Sequence, residues 1–250
     1  MSKLTEIGTK ICCKWTKIRL QPIRVFCFHH VSEKYNPEMM WDCDWVNTDI
    51  LKQTILELQN QGYIFISLPV AHEKLKHDRF RVHKYAVLTA DDGFKSLMNI
   101  VPWLIESQIP ITLFVNPKYM IEEGIGENVK ERLDTVHKSM TNAELYLSFA
   151  DVEMLQSPLV TFAYHGYEHL DEWKIDESTF LNNLEKCGKV LRQYFPHVIP
   201  YYAHAYGHSK KIYDKILNEQ GLTPVYVSGV VNYNNANYIE REILSNNEIT

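Results

Sequence analysis

The sequence has no long hydrophobic run, no excess of basic charge and no cysteine framework, and each absence excludes a class of protein. The longest apolar stretches, such as Val25 to Phe28 and Ile64 to Ile66, fall far below the ~18 residues that a membrane-spanning helix needs. Lys and Arg number 26 against 31 Asp and Glu, for a net charge of −5. With no long Lys/Arg stripe either, this argues against a nucleic-acid or anionic-membrane binder. The five cysteines (Cys12, Cys13, Cys27, Cys43 and Cys187) are odd in number and irregular in spacing, which suits a reducing compartment better than a disulfide scaffold. Cys12-Cys13 has no matching second pair and reads as ordinary thiols. The N-terminal stretch lacks the ~7–15-residue apolar segment of a secretory signal, and the expectation is a cytoplasmic protein. Gly and Pro, ten each, are too few for a collagen-like or long disordered chain. No internal repeat or low-complexity linker is visible.

What is present is an ordinary globular composition, 45% apolar and 23% charged over 250 residues, long enough to bury a self-sufficient core. Residues 1–22 are polar, basic and weakly patterned, and read as an arm or short helix. From residue 23 to 250 the texture is that of one domain. Short apolar runs at Arg24 to Phe28, Tyr63 to Leu68, Tyr85 to Thr89, Ile111 to Val115, Leu159 to Ala163, Val198 to Ala203 and Pro224 to Ser228 read as strands. Helical patterns separate them at Thr48 to Asn60, Ser96 to Gln108, part of Thr141 to Ser157, Ser178 to Tyr194 and Lys210 to Gln220. Residues 120–140 read as an inserted loop or small helical excursion. About seven strands alternating with helices predict an α/β layer fold with a mainly parallel sheet, open or closed as a barrel.

In such folds chemistry gathers past the carboxyl ends of the strands. Four ends carry polar residues: His29-His30, Asp91-Asp92-Gly93, the segment from His165 to His169, and the segment from His204 to His208. Adjacent carboxylates repel in a dry cleft unless a cation is near, and a divalent metal on one would leave the other free as a base. Read alone, Asp-Asp-Gly is first a solvated turn, because Asp and Gly favour turns. His165 and His169, four residues apart, would share a face of a helical turn and reach one metal, or be two surface histidines. Alternation along a strand lets only one of His29 and His30 face a pocket, and a hydrogen-bonded structural histidine is the other reading. His72, His77, His83, His137 and His197 read as surface or loop residues. Trp41 and Trp45 read as core, with stacking on a sugar as the alternative.

With these motifs in order, the sequence resembles the polysaccharide deacetylase family, the NodB-homology carbohydrate esterases. V-L-T-A-D-D-G (87–93) is similar to the family's T-F-D-D-G, Y-H-G-Y-E-H (164–169) to H-[ST]-x-x-H, and Y-A-H-A-Y-G (202–207) to F-A-Y-P-Y-G. C-F-H-H-V (27–31), Q-G-Y-I-F-I-S-L (61–68) and I-T-L-F-V-N-P (111–117) also resemble family segments, and the likeness runs from about Val25 to Arg241. It implies a distorted (β/α) barrel of about seven strands, with a divalent metal, Zn²⁺ or alternatively Co²⁺ or Ni²⁺. By motif position Asp92, His165 and His169 would be its ligands and Asp91 the general base. The Tyr206 backbone N–H would help form the oxyanion hole. The segment at His29 resembles the branch acting on poly-N-acetylglucosamine, whose first histidine is the general acid. Departures matter too. Ala90 replaces Phe, Gly166 replaces Ser/Thr, Ala205 replaces Pro, and the C-terminal L-x-H motif is absent. So is the usual arginine that orients the catalytic Asp, for which Arg241 is the candidate substitute. The implied reaction is removal of an N-acetyl group from a sugar or polysaccharide. An amide or ester hydrolase on another small substrate and a carbohydrate-binding pseudoenzyme are the alternatives.

Overall fold

The computed structural model describes residues 21–37, 45–78, 80–120, 142–235 and 237–246. The expected arm at 1–22 (all but its last two residues), the loop at 120–140 (all but Met120), and Trp41, His137, Cys12, Cys13 and Cys43 lie outside the described residues. In chain order the elements begin with β1 (Ile23–Phe28), β2 (His30–Ser32), β3 (Trp45–Asn47), α1 (Thr48–Asn60), β4 (Tyr63–Phe65), α2 (Leu68–His77) and β5 (Lys84–Ala90). A 3₁₀ turn (Lys95–Asn99), α3 (Val101–Glu106), β6 (Ile111–Val115), α4 (Asn142–Leu145), α5 (Phe149–Met154), β7 (Val160–Tyr164) and α6 (Glu177–Tyr194) follow. The last are β8 (Val198–Ala203), a second 3₁₀ turn (Ala205–Gly207), α7 (Lys211–Glu219), β9 (Thr223–Val227) and β10 (Ile239–Ile243).

Seven strands close into a ring in the order β1-β5-β6-β7-β8-β9-β10, with β10 returning to β1, and every pairing is parallel. The membership of the ring differs from the sequence reading in one strand. Among the described residues β4, at Tyr63–Phe65, pairs only with the first half of β5, on the edge whose second half β6 takes. The seventh ring strand is instead β10, I-E-R-E-I, which has too few apolar residues to read as a buried strand. The single helix expected at Ser96 to Gln108 is a 3₁₀ turn followed by α3. Ile100 between them is non-helical (φ −126°) and a proline follows at the start of α3, where its missing N–H costs nothing.

Alternation along the strands divides the molecule into two cores. Val25, Val87, Phe114, Ala163, Tyr201, Ala203, Val225 and Ile239 point into the barrel, and Leu68, Ala71 and Leu75 of α2 plug its lower end. His72, expected at the surface, is buried in that plug with its Nδ1 3.0 Å from the Tyr201 hydroxyl. The opposite strand faces pack against the surrounding helices. The longest of these, α6, starts with the Asp176 side chain accepting from Thr179 N–H, a cap of ordinary strength. It buries Phe180, Leu184, Cys187 and Leu191 along one stripe. α1 is capped by Asn47, whose side chain accepts from Asp49 and Ile50 N–H. Among the described residues no helix is long and apolar enough to cross a membrane.

The same alternation carries polar groups into the upper barrel. Cys27 and Thr89 follow Val25 and Val87 inward, and Arg241 follows Ile239; all three are fully buried. The next inward position on β5 is Asp91, just past the strand end.

Candidate active site

Asp91 and Arg241 form the floor of the site. The Arg241 guanidinium donates to Asp91 Oδ1 from Nη1 (2.6 Å) and to Oδ2 from Nη2 (2.7 Å), and Nη1 lies 3.2 Å from Thr89 Oγ1. It rests over the Phe114 ring, 5.0 Å from the centroid. Such a fork fixes both position and plane of the carboxylate. Burial pushes the Asp91 carboxyl up, but Arg241, His165 and His29 outweigh it and hold it below the ordinary carboxylate value. Asp91 is therefore an anion at neutral pH, placed where a base is useful.

Asp92 leaves the extended conformation that simple strand alternation assumes. Its φ is +71°, and Gly93 follows at the same φ. Asp is among the few non-glycine residues that tolerate this region, and the turn swings its side chain away from Asp91. Oδ1 of Asp92 lies 3.4 Å from Nε2 of His165 and 3.4 Å from Nε2 of His169. Gly93 is packed against the end of β6, where a Cβ would meet Val115 Cγ1 at 3.1 Å and Met120 Sδ at 3.2 Å.

The two histidines do not share a helical turn. They sit on a loop after β7, described without regular structure, and converge because the loop is stapled. Asn116, at the end of β6, donates from Nδ2 to the carbonyls of His165 (2.5 Å) and Gly166 (3.1 Å). Asn183 of α6 accepts from Glu168 N–H (2.8 Å) and donates to Glu168 O (3.1 Å). Gly166 takes φ +81°, and a Cβ there would lie 2.7 Å from Asn183 Nδ2 and 2.8 Å from Glu168 O. The glycine that departs from the family pattern is thus required by this loop.

The donor set fits a divalent ion. His165 Nδ1 lies 2.8 Å from the Ala203 carbonyl, which can only accept, so Nδ1 carries the proton. Nε2 then faces a carboxylate oxygen, and the space between them is filled either by a proton, which burial disfavours but Asp91 and Asp92 favour more strongly, or by a shared cation that both atoms ligate. One oxygen and two ring nitrogens lie within 4.8 Å of one another. Ligands each about 2.1 Å from one tetrahedral ion sit about 3.4 Å apart, the spacing seen between Asp92 Oδ1 and each imidazole. Mixed imidazole and carboxylate donors suit Zn²⁺ and neighbouring ions. Cys27, His29 and Asp91 also cluster, but they fit a metal poorly. Asp91 already holds Arg241, and burial raises the Cys27 thiol well above its ordinary value, with Arg241 opposing and Asp91 adding.

His29 and His30 part company, as alternation requires. His29 approaches Asp91 and Cys27, with its Nδ1 buried and lacking a hydrogen-bond partner among the described residues. His30 turns into the core, stacks on Phe94 at 3.6 Å and places Nδ1 3.3 Å from Ser96 Oγ. Tyr206 closes the opposite side. It holds φ +58° inside the turn after β8, and its ring meets His169 edge-on at 4.4 Å.

Behind that turn lies a group to which the sequence reading assigns no role. His204 is buried between two carboxylates, with Nδ1 2.8 Å from Glu172 Oε2 and Nε2 3.1 Å from Asp214 Oδ1. The second contact is an ion pair without hydrogen-bond alignment. Tyr202 donates to Glu172 Oε1 at 3.1 Å, and Tyr226 stacks on the imidazole. The cluster fixes the backbone between Ala203, which orients His165, and Tyr206. Glu172 lies three residues past His169 but outside the quoted motif, and Asp214 stands near none, so only the fold unites them with His204. Asn116 lies in the quoted I-T-L-F-V-N-P segment, but Asn183 carries no signal in a single sequence.

A family model described as polysaccharide deacetylase matches residues 81–225. No curated protein sequence matches significantly. Among solved structures the fold is similar to that of IcaB from Ammonifex degensii, at 19% identity over 92% of this chain and 94% of that chain, with a TM-score of 0.75. It is also similar to the Streptococcus pyogenes deacetylase PplD in complex with acetate, at 15% identity over 92% and 95% of the two chains, TM-score 0.73. The BpsB deacetylase domain from Bordetella bronchiseptica matches at 16% identity over 90% and 97%, TM-score 0.68. At these identities the likeness is one of fold.

Proposed function

The chain belongs to the polysaccharide deacetylase family, and from that premise we propose that it is a metal-dependent hydrolase removing N-acetyl groups from an N-acetylated sugar or polysaccharide. The observation that carries this reading is the division of labour between two adjacent aspartates. Asp91 is locked to Arg241 and kept anionic, while Asp92 is turned toward His165 and His169.

Asp92, His165 and His169 would hold a divalent ion, whose chemistry is to polarise the acyl carbonyl and lower the pKa of water. Asp91 accepts the proton of the attacking water, and Arg241 keeps its carboxylate oriented and ionised through that step. The Tyr206 backbone N–H donates to the oxyanion that forms as water adds to the acetyl carbon; one such donor is typically worth about 10²–10³ in rate. His29 delivers a proton to the amine nitrogen as the C–N bond breaks, so acetate and a free amine leave. His30, packed on Phe94, takes no part.

The deciding experiment is acetate release from a panel of N-acetylated mono- and oligosaccharides, with chelator and with Zn²⁺, Co²⁺ or Ni²⁺ added back. The expected result is release abolished by chelation and restored by one of the ions. Sugar binding without release would favour a binding module, and release from small acetyl esters or amides alone would favour the hydrolase alternative.

A further inference from the structure

From the histidine loop an aromatic shelf runs outward along the surface. Tyr206 meets His169 edge-on, His208 lies 6.0 Å from Tyr206, and Trp173 stacks flat on His208 with rings 3.6 Å apart and 7° from parallel. Trp173 is 61% exposed and Tyr206 52%. Apolar area left in water gains nothing from the hydrophobic effect, and neither ring is needed to fill a core.

The shelf is nevertheless rigidly built. The indole N–H of Trp173 donates to Ser209 O at 3.3 Å, and its backbone N–H donates to Asp171 Oδ1 at 3.1 Å. The same Asp171 oxygen lies 2.9 Å from His208 Nδ1. One carboxylate thus sets both members of the stack. One face of Trp173 is covered by His208, and the remaining exposure lies on the rest of the ring. A preorganised, open indole lowers the ordering cost of binding a flat apolar partner. A pyranose ring offers such a partner, since its axial C–H groups form an apolar face while its hydroxyls point outward to water.

We infer that Trp173, with His208 behind it and Tyr206 as the bridge to the site, binds a sugar residue adjoining the one that is deacetylated. This rests on the proposed deacetylase reading and adds the residues that hold the flanking sugar. The shelf's continuity with His169 is what selects a sugar of the same chain over a separate protein partner.

The test compares N-acetylglucosamine pentamers in the two common β-linkages with the monomer, on the full chain and on Trp173→Ala, Trp173→Phe and the remote surface variant Met154→Ala. Binding is measured by calorimetry under chelator, where turnover cannot interfere, and acetate release is measured with metal restored. The preference for a pentamer over the monomer is expected to fall about tenfold in Trp173→Ala in both measurements. Trp173→Phe should recover most of it, and Met154→Ala should match the parent. A parent that binds neither pentamer better than monomer overturns the inference, as does a Trp173→Ala variant with its pentamer preference intact. Pentamer binding that depends on Trp173 without acetate release from any sugar would support the shelf and defeat the deacetylase reading. Release that is indifferent to Trp173 would do the reverse.

Discussion

Arg241 grips Asp91 from inside the barrel through two parallel hydrogen bonds of 2.6 and 2.7 Å, joining residues from β10 and the end of β5. Both are buried, so neither charge has water as an alternative partner. Removing one member of such a pair leaves the other uncompensated, which costs about 3–5 kcal/mol. Arg241→Met is expected to lose stability of that order in denaturant unfolding and nearly all acetate release. Arg241→Lys keeps the charge but not the fork, and should retain more stability than activity. Equal, small losses in both variants would show that the fork does not organise the base.

The two aspartates are separable by what they lose. Asp91→Asn is expected to keep near-normal metal content and lose turnover, because an amide cannot accept the proton of water. Asp92→Asn should lose both, because a neutral amide oxygen is a poorer ligand than a carboxylate. Elemental analysis beside acetate release decides the matter. If Asp91→Asn is the variant that loses its metal, the roles are exchanged.

His29 and His30 provide a matching pair. His29→Ala is expected to lower kcat by about 10²–10⁴, the usual span for an acid or base, with thermal stability nearly unchanged. His30→Ala removes the stack on Phe94 and the contact with Ser96, so its loss should appear in stability. A kinetic defect confined to His30→Ala would reverse the assignment.

How far the sequence could be read depended on how each element is buried. Strands covered on both faces, such as R-V-F-C-F, I-T-L-F-V and L-V-T-F-A, stand out as apolar runs because no polar face interrupts them. Their carboxyl ends then point to the site. β10 escapes this reading because its charges are satisfied by partners far away in the chain. Arg241 holds Asp91, and Glu242 pairs with Arg24 at 2.7 Å. A strand closed by long-range ion pairs has no local signature. The helical turn expected for His165 and His169 failed for a related reason. Spacing alone cannot distinguish a helix from a loop held by Asn116 and Asn183, and Gly166 was the local sign of the loop. The separation of Asp91 from Asp92 was legible, but its cause was not, since it comes from the left-handed turn at Asp92 rather than from extended alternation.

Gly166 offers a direct test of that loop. Gly166→Ala places a Cβ at φ +81° against Asn183 Nδ2 and Glu168 O. Backbone strain of this kind costs about 1–3 kcal/mol. The expected result is lower thermal stability and weaker metal retention during dialysis against chelator, because His165 and His169 flank the distortion. Unchanged metal retention would mean that the loop does not set the ligand geometry.

The last prediction concerns pH and the buried cluster behind the Tyr206 turn. Burial pushes His204 down, but Asp214 and Glu172 outweigh it and raise it above its ordinary 6.5. Tyr202 and Tyr226, the other titratable groups packed on the ring, ionise only in strongly alkaline solution because burial raises both. The folded state therefore binds the His204 proton more tightly than the unfolded chain does. Its contribution to stability is complete below 6.5 and declines as pH rises through the folded value. His204→Gln removes the charge and leaves Glu172 and Asp214 facing a neutral amide. The variant should be less stable than the parent at mildly acidic pH, and the gap should narrow on the alkaline side, where the parent has lost its proton. Melting temperatures of both proteins from about pH 5 to about pH 9 read this out. Parallel curves across that range would show that His204 is neutral in the folded protein, and that the two carboxylates are held by some other means.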